Sequence, residues 1–471
     1  MNKEDICFMS AVDMAEKIKS QELTSLEITE TIIERIEKIN PIVNAYCTTT
    51  FDIARDMAKN ADERVKSNKD IPPLNGLPTS IKDLVPVKGV RTTYGSKIYE
   101  HHIPDEDAVV VSRLKDAGCV ILGKTNTPEE GHKAVTDNLI FGVTKNPWNL
   151  ERTCGGSSGG AAAEVAAGMG PLALGSDGGG SIRIPSCLCG VYGLKPNYGR
   201  IPRLWNKISF YRLSHYGPIV RYVKDAALML DVMAEPSDID KYSIPKPKIS
   251  FLDNLKELPK KIKIGYSLDL GFVKAINPEV KKKVIDAVHQ FEKLDWIIEA
   301  VNLKMRKVLR TYIALLSPYL AFDYSRYLKE WRDKMSPTFV MLIEGGINTT
   351  TQDIIGADLQ RIKFYNLFRE YFKNYDVLIT PTTTIAAFEL GKMFPDKIAG
   401  KAVSATGWMP YTTLFNMTGH PAASIPCGWN KEGLPIGMQI VGRLQDEATV
   451  LQVSKAFEEI APWQDKRPQF N

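Results

Sequence analysis

Two glycine-rich segments of this chain bring serines next to bare backbone amides. Residues 154–160 contain Ser157 and Ser158, and residues 178–185 contain Ser181. Glycine permits tight turns and close backbone approach, so both segments set serine hydroxyls beside free N–H groups. Such a combination suits either phosphate binding or nucleophilic attack supported by an oxyanion hole.

Known phosphate-binding patterns fit these segments poorly. A P-loop requires a lysine directly after its last glycine, and no lysine follows either cluster. The dinucleotide-binding glycine pattern fits residues 155–160 only loosely, and no acidic residue ends a following strand at a suitable spacing. Phosphate binding is therefore weakly supported.

A Ser-His-Asp triad is also poorly supported. The nucleophile elbow Gly-x-Ser-x-Gly is absent, and nothing in the sequence pairs any of the six histidines with an acid and such a serine. His132 lies nearest the candidate site and is a candidate for its wall. The remaining possibility is a serine activated by a neutral, buried lysine. Lys82 is a candidate, although the residue type alone favours an exposed edge charge.

Composition excludes several other classes of protein. The net charge is only +5 over 471 residues, and the sequence has no basic block typical of nucleic-acid binding. The seven cysteines are scattered and lack zinc-site spacing, so free thiols in a reducing compartment are expected, with no metal and no cofactor. The N-terminus lacks a signal-peptide core, and the charge-free stretch 402–430 contains three prolines, so a cytoplasmic protein without a membrane segment is expected.

The surrounding elements alternate between buried strands and helices, which predicts an α/β fold with parallel strand pairs. Helices are predicted at 10–19, from the capping box Thr24–Glu27 to Pro41, and at 51–67. Another helix is predicted to begin with Asn277 as its cap and Pro278 at its first position. Asp107 is predicted to cap a helix over 108–117, and residues 177–185 are predicted to form a loop. No linker divides the chain, so one large domain is expected. Further strands are predicted at 78–85, 119–123, 172–175, 262–266, 296–301, 376–381 and 434–441, and further helices at 161–167, 304–332, 352–374 and 446–460.

Together these segments resemble the amidase signature family across nearly the whole chain. The motifs that carry the resemblance are GGSSGG at 155–160, GSDGGGSIRIP at 175–185, GLKP at 193–196, GLPTSIKD at 76–83, GKTN at 123–126, GHPA at 419–422 and LPIGMQ at 434–439.

The resemblance implies an amidase with a Ser-Ser-Lys triad. Ser181 would be the nucleophile, Ser157 the bridging serine after a cis peptide bond, and Lys82 the base, which reverses the expectation of an edge charge. Backbone amides of Gly178, Gly179, Gly180 and Ser181 would form the oxyanion hole. Ser158, Asp177 and Arg183 are expected to brace the loops.

The implied fold is a single domain with a central twisted mixed sheet and helices on both faces. Residues 1–66 would be an N-terminal helical segment, 67–235 the signature core, and 236–471 the part that completes the sheet and the substrate pocket.

The substrate is expected to be a small-molecule amide. Glutaminase subunits of tRNA-dependent amidotransferases, the alternative within the family, hold glutamine with an acidic residue that is missing from residues 410–419 here. This absence favours an apolar acyl or aryl amide. Separately, no direct nucleic-acid partner is expected, and a homodimer is a possible assembly. The predicted pocket residues are Gly131, His132 and Phe415, with Phe210, Tyr211 and Trp408 as further candidates.

Overall fold

The computed structural model describes residues 2–67, 70–203 and 212–470, and it contains an eleven-stranded sheet. Phe210 and Tyr211 lie outside the described residues. The strands of the sheet are β1 (Tyr46–Thr49), β2 (Pro78–Lys82), β3 (Val120–Thr125), β4 (Leu172–Asp177), β5 (Tyr192–Lys195), β6 (His215–Val220), β7 (Lys263–Tyr266), β8 (Ile297–Ala300), β9 (Val377–Pro381), β10 (Ala422–Trp429) and β11 (Pro435–Gly442).

The sheet is mixed, with the order β1-β3-β2-β4-β6-β5-β10-β11-β9-β7-β8. The pairs β2–β3, β2–β4, β7–β9 and β7–β8 are parallel, and the other neighbours are antiparallel. The predicted α/β class with parallel pairs is therefore confirmed. The parallel pair β2–β4 brings the carboxyl ends of both strands to one edge of the sheet.

Helices flank this sheet. They are α1 (Lys3–Phe8), α2 (Ala11–Lys19), α3 (Ser25–Val43), α4 (Phe51–Lys66), α5 (Val109–Asp116), α6 (Gly159–Ala166), α7 (Arg183–Cys189), α8 (Val223–Met233), α9 (Pro278–Gln290), α10 (Val308–Tyr324), α11 (Leu328–Trp331), α12 (Pro337–Ile347), α13 (Thr351–Tyr371), α14 (Thr413–Thr418) and α15 (Glu447–Ile460). In the described part of the chain, none of these helices has the length and apolar character needed to cross a membrane.

Both faces of the sheet are covered, as predicted. Successive strand residues point to opposite faces. In β9, Val377 and Ile379 belong to the main hydrophobic core, whereas Leu378 between them belongs to a second core built with α10, α12 and α13. The chain therefore forms one domain with apolar packing on both sides of the sheet. Its division at residues 66 and 235 stays a prediction.

Three predicted boundaries were wrong for local reasons. Helix α3 continues past Pro41 to Val43 and ends where Asn44 adopts φ 59°, because a proline so close to the helix end breaks few hydrogen bonds. Asp107 does not cap α5; its carboxylate accepts the Lys88 amide and pairs with Lys115.

The segment 177–185 is also not entirely a loop. Helix α7 begins at Arg183, and Pro185 occupies its third position, where a missing N–H costs no helical bond. This short helix anchors the loop that carries Ser181.

Candidate active site

Lys82 lies at the carboxyl end of β2, beside the carboxyl end of its parallel neighbour β4. Its side chain is fully buried, and Lys82 Nζ lies 2.7 Å from Ser157 Oγ. Lys82 Nζ also lies 3.0 Å from the hydroxyl and 3.5 Å from the carbonyl oxygen of Ser176, the second-to-last residue of β4. The lysine thus has three oxygen partners and no contact with solvent.

The environment of Lys82 favours the neutral amine. Burial lowers the pKa of Lys82 well below its usual value, because the charged form loses its hydration. The negative charge of Asp177 opposes this effect, and the positive charge of Arg203 adds to it. Burial dominates the balance.

Ser157 lies two residues before the start of α6, and the peptide bond between Gly156 and Ser157 is cis, as the resemblance implied. Ser158 is part of the same turn. Its hydroxyl donates to the carbonyl oxygen of Ser176 and accepts the amide of Ser176, and its own amide donates to the carbonyl oxygen of Ser181. The expectation that Ser158 braces the loops therefore agrees with these contacts.

Ser181 occupies the loop between β4 and α7 and lines a cavity of about 190 Å³. Gly178, Gly179 and Ser176 line the same cavity. In residues 2–67, 70–203 and 212–470, the Ser181 hydroxyl makes no hydrogen bond. The structure thus contains the first contact of the predicted relay, Lys82 to Ser157, but not a bond between Ser157 and Ser181.

Four residues of the glycine loop were expected to donate to an oxyanion. The Gly180 amide donates instead to Asp177 Oδ1 at 2.7 Å, so this amide is already engaged. The amides of Gly178, Gly179 and Ser181 donate to no acceptor in the part of the chain that the structure describes. The expectation for Gly180 is corrected on this ground.

The loop is held from behind by Asp177 and Arg183. The Asp177 carboxylate accepts the Gly180 and Ile182 amides, and Arg183 donates to both of its oxygens at 2.8 and 2.9 Å. Burial acts to raise the pKa of Asp177, but the Arg183 charge and the Asn416 amide outweigh it and hold that pKa well below its usual value. The expected bracing role of Asp177 and Arg183 matches this network.

Helix α14 supplies the other side of this brace. Thr412, just before α14, donates to the Gly179 carbonyl oxygen at 2.7 Å, and its own carbonyl accepts from Arg183. Asn416 donates to the carbonyl oxygen and the carboxylate of Asp177, both at 2.8 Å. Neither role was predicted from the sequence.

The predicted pocket residues have mixed outcomes. Gly131 lines the cavity, and a Cβ at this position would lie 3.0 Å from Ser157 Oγ. His132 also lines it, but its ring nitrogens contact the Glu129 carbonyl oxygen and the Thr338 hydroxyl. Phe415 does not line the cavity; it is fully buried and packs on Phe368 at 5.3 Å.

Trp408 is likewise a core residue, since it is almost fully buried and packs on Phe388. Among the described residues, the aromatic side chains that line the cavity are mainly tyrosines, and none of these was predicted from the sequence. Helix α10 contributes Tyr312, Tyr319 and Tyr324, and Tyr94 and Tyr216 also line the cavity. An apolar stripe on a helix is ordinarily plain core, so the sequence alone contained no signal that singled out α10.

The contact of Ser176 with Lys82 was also not predicted, although Ser176 lies near the end of β4 at the level of Lys82.

An outer chamber of about 470 Å³ adjoins this cavity and shares Leu84, Tyr94 and Tyr319 with it. The site therefore has room for a substrate that extends well beyond the bond near Ser181. Tyrosine and leucine side chains form part of the described wall, and Glu130 and Arg203 also line both cavities, so the wall offers apolar and polar contacts.

Comparison with known proteins agrees with this arrangement. Residues 27–451 match the sequence pattern of the family described as Amidase, and the chain belongs to that family. It is an amidase, a hydrolase that acts on carbon–nitrogen amide bonds.

Among curated proteins, an acylamidase of Rhodococcus erythropolis is 38% identical over 477 residues, covering 99% of this chain and 98% of that protein. A glutamyl-tRNA(Gln) amidotransferase subunit of Sulfurihydrogenibium sp. (strain YO3AOP1) is 37% identical, covering 98% of this chain and 99% of that protein. The crystal structure of a bacterial aryl acylamidase matches with a TM-score of 0.92 and 30% identity, covering 97% of each chain.

Proposed function

We propose that this amidase hydrolyses a carboxylic amide to an acid and an amine or ammonia through an acyl-enzyme on Ser181, with Ser157 and neutral Lys82 as proton relay. The contact of 2.7 Å between the buried Lys82 Nζ and Ser157 Oγ, beside the cavity that holds Ser181, carries this proposal. Its chemistry follows from the hydrogen-bonding capacity of each group.

A neutral lysine amine has two N–H groups and one lone pair. The two N–H groups face the hydroxyl and carbonyl oxygens of Ser176, at 3.0 and 3.5 Å. The lone pair is then directed at the Ser157 hydroxyl, whose proton it accepts. Ser176 therefore acts as a positioning residue for the base.

In the first half-reaction, Ser181 Oγ bonds to the carbonyl carbon of the amide while its proton passes to Ser157 and the Ser157 proton passes to Lys82. The negative oxygen of the intermediate accepts from the amides of Gly178, Gly179 and Ser181. The relay then protonates the nitrogen, and the carbon–nitrogen bond breaks. Water then attacks the carbonyl carbon of the acyl-enzyme while its proton passes to the relay. The relay returns this proton to Ser181 Oγ as the ester bond breaks, and the acid is released. This relay requires the Ser181 hydroxyl to turn toward Ser157, since the two hydroxyls make no hydrogen bond with each other in the described part of the structure.

The walls of the site support an apolar acyl or aryl amide as substrate. Tyr312, Leu316 and Leu320 come from α10, and Leu84 also lines the cavity. No carboxylate stands in residues 410–419, where glutaminase subunits of the family hold the amino group of glutamine. Similarity to an acylamidase and to an aryl acylamidase supports the same substrate class.

The decisive experiment compares the purified chain with Ser181→Ala. We expect the wild type to release para-nitroaniline from acyl para-nitroanilides and to be labelled by a fluorophosphonate at Ser181. Ser181→Ala should lose both, whereas Ser67→Ala, which changes an exposed helix-end serine, should keep both. Wild-type turnover by Ser181→Ala would reject the proposal.

A glutaminase subunit of a tRNA-dependent amidotransferase is the second candidate, since curated relatives 33–37% identical carry the name of a glutamyl-tRNA(Gln) amidotransferase subunit. The two candidates differ in what the isolated chain can do. An isolated chain that hydrolyses anilides but not glutamine supports the free amidase. Glutamine hydrolysis that requires partner subunits would support the second candidate instead.

A further inference from the structure

Glu129 joins three separated segments of the chain beside the candidate active site. Its side chain is almost fully buried. Glu129 Oε1 accepts from the Ser96 hydroxyl at 2.7 Å, and Oε2 accepts from the backbone amide of Ser336 at 2.6 Å. Ser336 directly precedes α12, where unpaired amides favour a negative charge. The start of α12 is therefore attached to the loop that carries Gly131.

His132 forms a second attachment between the same two segments. His132 Nδ1 lies 2.6 Å from the Glu129 carbonyl oxygen, which can only accept, so Nδ1 carries the ring proton. His132 Nε2 then accepts from the Thr338 hydroxyl at 2.7 Å, and Ser336 Oγ lies 3.0 Å from Thr338 Oγ1. Burial lowers the pKa of His132 to about 3, so the ring stays neutral in this arrangement.

Helix α12 transmits this attachment to the wall of the cavity. Phe339 packs on His132 and on Tyr324 of α10, with ring centroids 5.1 Å apart in both pairs. At the far end of α12, a Cβ on Gly346 would lie 2.0 Å from the Ser317 carbonyl oxygen, so α12 and α10 are in close backbone contact. The two helices therefore pack as one layer, and α10 carries Tyr312, Leu316 and Leu320 into the cavity.

We propose that Thr338 and Glu129 are positioning residues that set the selectivity of this enzyme for large amides. They hold the layer of α10 and α12 at a fixed distance from the loop beside Ser157, and so fix the width of the cavity. The inference rests on the proposed amide hydrolysis and adds the residues that determine which amides fit. Neither side chain takes part in the relay.

The test compares two substrates and four variants. The substrates are acetyl and octanoyl para-nitroanilide, which differ only in the acyl chain. Thr338→Val removes the hydroxyl without changing the side-chain shape, and we expect KM for the octanoyl substrate to rise about fivefold or more, with kcat and the pH dependence unchanged. Thr338→Ser restores the donor and should return KM to within about twofold of wild type.

Thr349→Val is the matched control, because its hydroxyl bonds the Gly345 carbonyl oxygen at the other end of α12. Glu129→Leu provides a second probe, since it removes both acceptor oxygens for Ser96 and Ser336 at similar size, and it should shift KM in the same direction as Thr338→Val. An unchanged KM in both probes, or an equal loss of kcat on both substrates, would overturn the inference. Turnover by Ser181→Ala would instead reject the proposed reaction, so the two failures are distinguishable.

Discussion

Lys82 has no exposed surface, and its nearest partners are the oxygens of Ser157 and Ser176. Because burial lowers its pKa well below the usual value, the neutral form is the stable one over a wide pH range. Below that pKa, Lys82 is protonated and cannot accept a proton from Ser157.

We therefore expect kcat/KM to fall toward acid pH and to level off as the pH rises. Lys82→Arg should be inactive at every pH, because a guanidinium stays protonated. The measurement is kcat/KM on one anilide from about pH 9 down to the acid limit of folding. A profile that stays flat over that whole range would contradict a neutral lysine as base.

Gly131 offers a second test at the scale of one residue. It has φ +66°, and an added Cβ would lie 2.7 Å from Leu84 Cδ1 and 3.0 Å from Ser157 Oγ. We expect Gly131→Ala to lower kcat about tenfold or more, since Ser157 must shift away from its partners.

Gly142→Ala is the control for Gly131→Ala. Gly142 has φ +76°, but nothing lies within 4 Å of the added Cβ. Both variants should lose about 1–2 kcal/mol of stability to the unfavourable φ, and only Gly131→Ala should lose activity. Thermal unfolding and kcat separate the two effects. Equal activity loss in both variants would show that backbone strain, not the contact with Ser157, is responsible.

At the scale of elements, the loop between β4 and α7 depends on α14. Thr412 donates to the Gly179 carbonyl oxygen at 2.7 Å, and Asn416 holds the Asp177 carbonyl. These bonds fix the two peptide groups that carry the Gly179 and Asp177 carbonyl oxygens, and so hold the loop on which Ser181 lies.

We expect Thr412→Val to lower kcat about tenfold, because the Gly179 peptide loses its fixed orientation. The stability loss should be only about 1 kcal/mol, the usual contribution of one hydrogen bond. Thr412→Ser should recover activity. Thr418→Val, which removes a bond to Leu414 at the other end of α14, is the control and should keep wild-type kcat. Wild-type kcat in Thr412→Val, or an equal loss in the control, would reject the assigned role of Thr412.

At the scale of the whole molecule, buried ionisable groups make stability depend on pH. Glu164 of α6 is fully buried, where it accepts from Ser80 of β2 at 2.8 Å and from Tyr46 of β1 at 3.2 Å. Burial raises the pKa of Glu164 to about 8, against a usual value of 4.5. The folded protein thus keeps a proton here that the unfolded chain releases.

A raised carboxyl pKa contributes stability that is complete below the unfolded value and is lost as the pH rises through the folded value. From about pH 4.5 to about pH 8, Glu164 should cost about 1.4 kcal/mol per pH unit. We expect Glu164→Gln, whose amide never ionises, to be less sensitive to alkaline pH than the wild type. Chemical denaturation at about pH 6 and about pH 9 measures this difference, and parallel losses in both proteins would refute it.

Much of the architecture follows from local sequence. The capping box of Thr24 and Glu27 and the pair Asn277 and Pro278 start α3 and α9 as predicted, because a helix end is decided by nearby side chains. Strand β9 was also predicted from its apolar residues. Helix α12 and strand β6 were missed, since short segments with mixed patterns are stabilised mainly by tertiary packing.

The sequence by itself determined the family, the candidate residues Lys82, Ser157 and Ser181, and the class of reaction, since motif residues and their spacing are local properties. The residue type of Lys82 favoured an exposed side chain. Its burial could not be derived locally, because it arises only when β2 and β4 lie side by side.

Only the tertiary structure decided how the site is completed. The Ser176 hydroxyl bonds Lys82, although the two residues lie on different strands. Thr412 and Asn416 bond the glycine loop from a distant part of the chain, and the Gly180 amide donates to the Asp177 carboxylate. Phe415 changed from a predicted pocket residue to a core residue for the same reason, whereas His132 lines the cavity and bonds Thr338. A side chain's residue type limits which bonds it can make, and the folded neighbours select among them.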